Sequence, residues 1–280
     1  MYQIIKNVIS NEKKVDIAFK DGFIKEIGKD LKGEEVYDGK EAFIYQSKQK
    51  QFFSLAKIGY LHSGKVSQEK GSFDEIRQWL LKGQELAYEK GITSVISDDF
   101  FDFKENYEQV FRMLMNLAYE RKLSLDVYED VHIQELKEYE RFLENGHSFG
   151  ESLASFHISA LKLVVDEKSV KEELLEYCKV SNRYNMPIHI YLENQVDLAL
   201  EVLKGSLYEN NPLGTKVISN YDLSSKQSRS FKELNITIEP FQQKEVEKNV
   251  RVGDVADCML INKKKEVLCT IKAGKVVYRK

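Results

Sequence analysis

Seven short apolar runs alternate with amphipathic helical segments through the middle of the chain, and this alternation constrains the fold more than any other feature. The runs are EAFIYQ (41–46), ITSVIS (92–97), LSLDVY (123–128), SALKLVV (159–165), PIHIYLE (187–193), TKVISN (215–220) and ITIEPF (236–241). Such alternation is typical of βαβ units, which build a parallel sheet. A closed (β/α) barrel has eight strands, and the polar segment after the seventh run does not fit a buried strand. We therefore predict a distorted or incomplete TIM-like (β/α) barrel over residues 41–253.

Both ends of the chain have a different texture. Near the start, YQIIKNVIS, KKVDIAFKDGFIKEIG and EEVYDG are short runs rich in β-branched and aromatic residues, with a turn signal at Asp21-Gly22. The far end repeats this pattern in CMLIN and KEVLCTIKAGKVVYRK. Two terminal segments of matching style are predicted to share one sheet. The fold class is therefore α/β, with a small β-sandwich domain built from residues 1–40 and 254–280.

Charge and cysteine usage limit the partners. The net charge of −3 provides no basic surface for nucleic acid, and no apolar stretch approaches the roughly 20 residues needed to span a membrane. The three cysteines, Cys178, Cys258 and Cys269, show no C-x-x-C spacing, and the first residues lack the apolar core of a signal peptide. We expect a cytoplasmic protein whose partner is a small molecule or another protein.

Several strings in this chain resemble the amidohydrolase superfamily. VDIAFKDGFIKEIGKDL is similar to the opening strands of that family, and GDVADCMLINKKKEVLCTIKAGKVVYRK is similar to its closing segment. HISALKLVVD, IHIYLENQVDLALEVL and KVISNYDLSSKQSRSFKELNITIEPF resemble the branch called the amidohydrolase 3 group. The resemblance implies a (β/α) barrel with a terminal β-sandwich, and hydrolysis by metal ions held at the C-terminal mouth of the barrel.

The family's metal ligands are only partly matched by this chain. The resemblance places Ser47 and Gln49 at the His-x-His pair of strand 1, Lys162 at the lysine of strand 4, His189 at the histidine of strand 5, and Asn220 at the histidine of strand 6. The aspartate of strand 8 has no counterpart. A catalytic zinc usually has three protein ligands, so we expect no bound cofactor and treat Lys162 and His189 as weak metal candidates. Zinc or another divalent ion is implied only if the protein is active.

Lys162 lies within an apolar run, where a charged amine needs a partner. It is either a residual site lysine or one half of an ion pair with Asp98, Asp99 or Glu193. His189 alternates with two isoleucines, so it is either a ligand-facing residue or a satisfied core histidine. Asp98 and Asp99 follow strand 2, where their carboxylates could bind a cation, act as a general base or cap the following helix. The predicted catalytic residues are Lys162, His189 and Asp98, and the predicted substrate-binding residues are Asp99, Glu193, Asn220 and Gln49.

The remaining histidines share no metal-ligand spacing, and we interpret them as an exposed loop set. They are His62, His132, His147 and His157. Three serines each precede a glutamate or glutamine by three residues, which predicts helix starts with a capping box. These pairs are Ser72 with Glu75, Ser169 with Glu172, and Ser224 with Gln227.

Three hypotheses for function follow from this reading. The first is an amidohydrolase-like protein with a dismantled metal site, which is non-hydrolytic and binds a small molecule or partner at the barrel mouth. The second is an active hydrolase of amide or other C–N bonds, using a weakly held metal or Lys162 and His189 directly. The third is a structural homo-oligomer, because an incomplete barrel exposes a strand edge that invites pairing.

Overall fold

The computed structural model describes residues 2–51, 53–63, 71–206, 214–219, 222–241 and 247–280. The strands are β1 (Gln3–Ser10), β2 (Lys13–Lys20), β3 (Phe23–Gly28), β4 (Glu34–Asp38), β5 (Phe43–Gln46), β6 (Lys48–Gln51), β7 (Ile92–Ser97), β8 (Asp126–Val131), β9 (Ser152–Leu153), β10 (Phe156–Val165), β11 (Ile188–Leu192), β12 (Lys216–Ser219), β13 (Thr237–Pro240), β14 (Cys258–Ile261), β15 (Val267–Lys272) and β16 (Lys275–Arg279). The helices are α1 (Leu55–His62), α2 (Phe73–Glu89), α3 (Asp99–Asp102), α4 (Tyr107–Tyr119), α5 (Leu136–Glu144), α6 (Lys171–Arg183), α7 (Val196–Ser206) and α8 (Ser225–Glu233).

The two ends of the chain share one sheet of eight strands, as the sequence predicts. Its order is β16-β15-β14-β5-β1-β2-β3, and β4 pairs in parallel with the first half of β1. Asp21 and Gly22 join β2 to β3 with φ angles of 53° and 77°, the positive values that a tight two-residue hairpin needs. The packing of this sheet as a sandwich and the domain boundaries stay predictions.

The prediction that residues 41–46 open the barrel is wrong. β5 pairs antiparallel with β14, and Ile44 is fully buried in the core of the terminal sheet. The first strand of the second sheet is instead β6, whose sequence is KQKQ. This edge strand has no apolar residue, so a search for apolar runs cannot find it.

The second sheet is parallel and curls into a half-barrel. Its order is β6-β7-β8-β10-β11-β12-β13, and the short β9 pairs antiparallel with β10. The observed half-barrel agrees with the predicted distorted or incomplete TIM-like barrel. Helices alternate with these strands and cover one face. None of the described helices combines the length and apolar character that crossing a bilayer requires.

Strand alternation divides the second sheet into an apolar face and a polar face. Leu161 and Leu163 on β10 belong to the core beneath the helices, as do Ile188 and Ile190 on β11. The residues between them on the same strands, including Lys162 and its register partner His189, therefore face the inside of the half-barrel. The buried Lys162 and His189 therefore lie on the concave side.

The two edge strands of the half-barrel approach each other on this concave side. Gln51 on β6 donates from Nε2 to Glu239 Oε2 on β13 at 3.3 Å, and Lys216 on β12 donates to the same oxygen at 3.1 Å. Side chains therefore span the seam where the sequence offers no eighth strand.

Helix starts agree with the sequence at two of three places. Capping boxes form at Ser72 and Ser224. The third prediction is wrong because α6 begins after Val170, while the Ser169 hydroxyl donates to Asp166 and so takes part in the preceding turn.

Candidate functional site

A buried ion pair occupies the inside of the half-barrel at the C-terminal end of β7. Lys162 Nζ donates to Asp98 Oδ1 at 2.6 Å, and Lys162 is only 4% exposed. The ring of Phe101 lies 4.1 Å from the amine and the ring of Tyr191 lies 4.5 Å from it. Asp98 can make this contact because it directly follows the inward-facing end of β7. The sequence offered three carboxylates as partners for Lys162, and in the structure Asp98 forms the ion pair.

The ion pair is costly to form and costly to break. Burial raises the pKa of Asp98, while the adjacent ammonium of Lys162 acts in the opposite direction. Aromatic faces attract the ammonium further, because their π-electrons present negative charge to it. Removing one partner of such a pair leaves an uncompensated buried charge, which typically costs about 3–5 kcal/mol.

A second polar group lies beside the ion pair. His189 Nδ1 is 2.8 Å from Asp130 Oδ2, and the hydroxyl of Tyr191 donates to the same oxygen. Asp130 is fully buried and His189 is 6% exposed. Because the carboxylate accepts, Nδ1 carries the proton and Nε2 is the basic nitrogen of the ring. His189 is therefore oriented and inward-facing, which combines the two alternatives that the sequence left open.

The carboxylate of Asp130 is stabilised through one of its two oxygens. Burial opposes its ionisation, but His189, Tyr191 and the nearby charge of Lys216 together hold the pKa of Asp130 below its usual value. Burial and the Asp130 charge raise the pKa of Tyr191, which keeps its hydroxyl protonated as a donor. The second oxygen, Asp130 Oδ1, is buried and has no hydrogen-bond partner among the described residues.

His132 also belongs to this site, although the sequence analysis placed it among exposed loop histidines. That interpretation is wrong. His132 follows β8, its Nδ1–H donates weakly to the carbonyl oxygen of Lys162 at 3.4 Å, and its ring contacts Phe101 edge-on at 4.9 Å. Burial lowers the pKa of His132 to about 4, so the ring is neutral at pH 7. Its place directly after a strand was the available signal.

Asp99 points away from the site and stabilises α1. Oδ1 accepts hydrogen bonds from the Ser54 hydroxyl at 2.6 Å and from the Ala56 amide at 2.9 Å, and Oδ2 accepts from the Ser97 hydroxyl at 2.9 Å. Asp99 is fully buried, and burial raises its pKa to about 6. These contacts fit the helix-capping alternative for Asp99, and its location does not fit the predicted role in substrate binding.

Of the other predicted binding residues, the structure describes Gln49 and Glu193, and both are exposed. Gln49 is exposed and pairs with Ser94 near the start of β7, whereas Asp98 follows the end of that strand. Glu193 follows β11 and is exposed. Asn220 lies outside the described residues. Ser47, at the other predicted strand-1 position, precedes β6 and its hydroxyl contacts that of Thr93.

The side chains present do not fit a metal centre. No group of three or more histidine, cysteine, aspartate or glutamate side chains in the described ranges is arranged to hold a metal ion. Lys162 is engaged with Asp98, and an ammonium has no lone pair to give. His189 Nε2 remains a competent donor atom, but one imidazole is fewer than the three ligands that a catalytic zinc usually has.

Comparison with known proteins assigns the fold. No family model matches the chain, and no curated protein matches it. Among solved structures, N-isopropylammelide isopropylaminohydrolase from Burkholderia multivorans superposes with a TM-score of 0.67 at 11% identity, covering 100% of this chain and 98% of that chain. An uncharacterized metal-dependent hydrolase from Pyrococcus furiosus gives 0.63 at 12% identity over 85% of this chain and 76% of that chain.

A third solved structure extends the same likeness. The 5-methylcytosine deaminase from Klebsiella pneumoniae has a TM-score of 0.60 at 10% identity and covers 100% of this chain and 98% of that chain. The chain shares the fold of these hydrolase and deaminase structures, which is the fold that the sequence resemblance implies. At these identities the likeness assigns no activity.

Proposed function

We propose that this protein is an amidohydrolase-like protein without a metal-dependent hydrolytic centre, and that it binds a small molecule at the mouth of the half-barrel. The observation that carries the proposal is the buried pair of Lys162 and Asp98. The lysine that the family resemblance places at the metal site here contacts a carboxylate at 2.6 Å and two aromatic rings. The ammonium of Lys162 thus takes the place of a metal ion.

Electrostatics supports this reading. Two unit charges about 4 Å apart in a protein-like medium of effective dielectric constant about 20 interact with about 4 kcal/mol. A divalent ion next to the Lys162 ammonium would meet roughly twice that repulsion, since its charge is double. Metal binding would therefore require Lys162 to lose its proton and Asp98 to give up its partner.

The mouth offers contacts suited to a small ligand. Phe101 is 37% exposed on the short helix α3, and the neutral ring of His132 lies against it. An exposed aromatic ring beside partly buried polar groups is typical of small-molecule sites.

The edges of the half-barrel do not favour the oligomer hypothesis. β6 carries Lys48 and Lys50, and β13 ends at Pro240. Charged residues and proline on edge strands oppose pairing with another chain. We therefore place a small-molecule ligand ahead of a second copy of this protein.

Metal analysis of protein purified without chelators tests the proposal. We expect less than about 0.1 equivalents of zinc, iron, nickel or manganese per chain, both before and after incubation with zinc and desalting. Retention of about one or two ions per chain would overturn the proposal, because that is the loading of a catalytic centre. Lys162→Met, with Lys168→Met as a surface control, shows whether any ion retained depends on the mouth.

Metal-independent hydrolysis is a second candidate function, favoured by the contact between Asp130 and His189. A carboxylate that fixes the Nδ1–H form leaves Nε2 free to accept a proton from water, as a general base does. A screen of amides, cyclic ureas, formamides and acylated amines in the presence of a chelator tests it. Turnover that survives the chelator and is lost in His189→Gln supports this candidate, and a silent screen removes it.

A further inference from the structure

The described carboxylates on the concave face of the half-barrel have different kinds of partners. Two of its carboxylates are matched by ammonium groups: Asp98 by Lys162 at 2.6 Å, and Glu239 by Lys216 at 3.1 Å. The third carboxylate, Asp130, is fully buried and is directly contacted by an imidazole and a phenol. Among the described residues, no lysine or arginine side chain forms an ion pair with Asp130.

Two buried acceptor oxygens on the same face lack donors. Asp130 Oδ1 on β8 and Gln51 Oε1 on β6 have no hydrogen-bond partner among the described residues. The amide nitrogen of Gln51 is already committed to Glu239 at 3.3 Å. An unsatisfied buried polar group costs about 1–3 kcal/mol, and more when it is charged. Unmatched acceptor oxygens, one of them on a buried carboxylate with no lysine or arginine partner among the described residues, favour a ligand that is both cationic and a hydrogen-bond donor.

We propose that a small organic ammonium ion, the protonated form of a primary amine, binds inside the half-barrel and donates a hydrogen bond to Asp130 Oδ1. This inference rests on the proposed function, since it names the ligand class of the metal-free site. Monodentate binding through one oxygen suits an ammonium better than a planar guanidinium, which prefers two carboxylate oxygens. Oδ2 is already occupied by His189 and Tyr191.

The ligand must be small because Asp130 is fully buried inside the half-barrel. The partly exposed ring of Phe101 covers the amine of Lys162 at 4.1 Å. Phe101 is carried by α3, a helix of four residues.

Isothermal titration of the full chain with methylammonium chloride tests the inference, with tetramethylammonium chloride as the ligand control that has no N–H donor. We expect saturable binding of methylammonium and none of tetramethylammonium. Asp130→Asn should weaken binding at least tenfold. Asp126→Asn is the matched control, because Asp126 lies on the same strand but is paired with Lys272, and it should change binding less than twofold.

A second variant keeps the test decisive if Asp130→Asn fails to fold. Tyr191→Phe retains the ring beside Lys162 but removes one donor from Asp130, so methylammonium should bind severalfold more tightly. Absent binding to the wild type, or binding unaffected by either substitution, would overturn the inference. Metal content measured on the same preparation separates the two proposals. Metal-free protein that binds no amine contradicts only the ligand class, and metal-loaded protein contradicts the proposed function itself.

Discussion

The two ends of the half-barrel hold lysines of low exposure in different ways. At the end near the terminal sheet, Lys272 on β15 contacts two carboxylates, Asp126 at 2.5 Å and Asp257 at 2.6 Å. At the mouth, the described contacts of Lys162 include a carboxylate and two aromatic rings, and Asp130 Oδ1 has no hydrogen-bond partner among the described residues. The first arrangement connects strands of the two sheets and is saturated. The second leaves an oxygen of Asp130 available to a ligand, which is typical of a functional site.

Packing at the end of the half-barrel near the terminal sheet supports the same distinction. The Thr270 hydroxyl donates to the backbone carbonyl of Tyr88 at 2.6 Å. Gly91 follows α2 with φ of 74°, and an added Cβ would meet Met259 Sδ at 2.8 Å. These contacts bring the terminal sheet close to α2 and β7. We therefore expect substitutions there to change stability without changing ligand binding.

The largest expected effect is at the mouth. Lys162→Met should lower the free energy of unfolding by about 3–5 kcal/mol, because it leaves the Asp98 charge buried and unpaired. Urea denaturation measures this, with Lys168→Met as a control expected within about 0.5 kcal/mol. The double variant Lys162→Met with Asp98→Leu should recover most of the loss. A single variant as stable as the wild type would contradict the ion pair.

We expect the titration of Asp99 to change the free energy of unfolding by about 3 kcal/mol across the acidic range. Burial raises its pKa from 3.8 to about 6, so between these values the folded state holds a proton that the unfolded state releases. Stability contributed by Asp99 is therefore fully present below pH 4 and is lost as the pH rises through 6, at about 1.4 kcal/mol for each pKa unit.

Stability curves of the wild type and Asp99→Asn measured from pH 4 to 7 check this. The difference between them should shift in favour of the variant as the pH rises and should be constant above about pH 7. A difference that does not depend on pH would show that Asp99 titrates normally.

At the end near the terminal sheet, Lys272→Met should lower the free energy of unfolding by about 2 kcal/mol. This is less than the effect expected at the mouth, because Asp126 is partly exposed to water. Methylammonium binding should be unchanged in this variant. If instead Lys272→Met abolished ligand binding while retaining the fold, the functional distinction between the two ends would be wrong.

The smallest expected effect is at the seam. Gln51→Ala removes the hydrogen bond to Glu239 and should reduce stability by about 1 kcal/mol. Gln78→Ala, at an exposed position of α2, serves as the matched control in the same denaturation series. A loss above about 3 kcal/mol would indicate that this contact does more than link two edge strands.

Local patterns in the sequence predicted much of the fold. Six of the seven apolar runs correspond to strands of the second sheet, and the hairpin at Asp21-Gly22 was legible from its turn residues. The pattern failed at β6 because an edge strand of polar residues lacks the apolar signature. It also assigned 41–46 to the wrong sheet, since an apolar run does not reveal which neighbours it pairs with.

The site was less accessible than the fold because its contacts are distant in sequence. Asp98 and Lys162 are 64 residues apart, and Asp130 and His189 are 59 apart. The family resemblance drew attention to Lys162 and His189. Asp130 was missed because successive residues of YEDVH face opposite sides of the sheet. Glu129 faces the helix layer, where its Oε1 accepts a hydrogen bond from the Phe100 amide at 2.8 Å. Asp130 faces the inside of the half-barrel.

The central claim is that the ammonium of Lys162, paired with Asp98, takes the place of a metal at the mouth of the half-barrel. The most direct measurement is anomalous diffraction at the zinc edge from crystals grown with excess zinc. The account predicts no anomalous peak within reach of Lys162 or His189, and Lys162 Nζ still hydrogen-bonded to Asp98. A zinc peak coordinated by His189, with Lys162 withdrawn from Asp98, would contradict it.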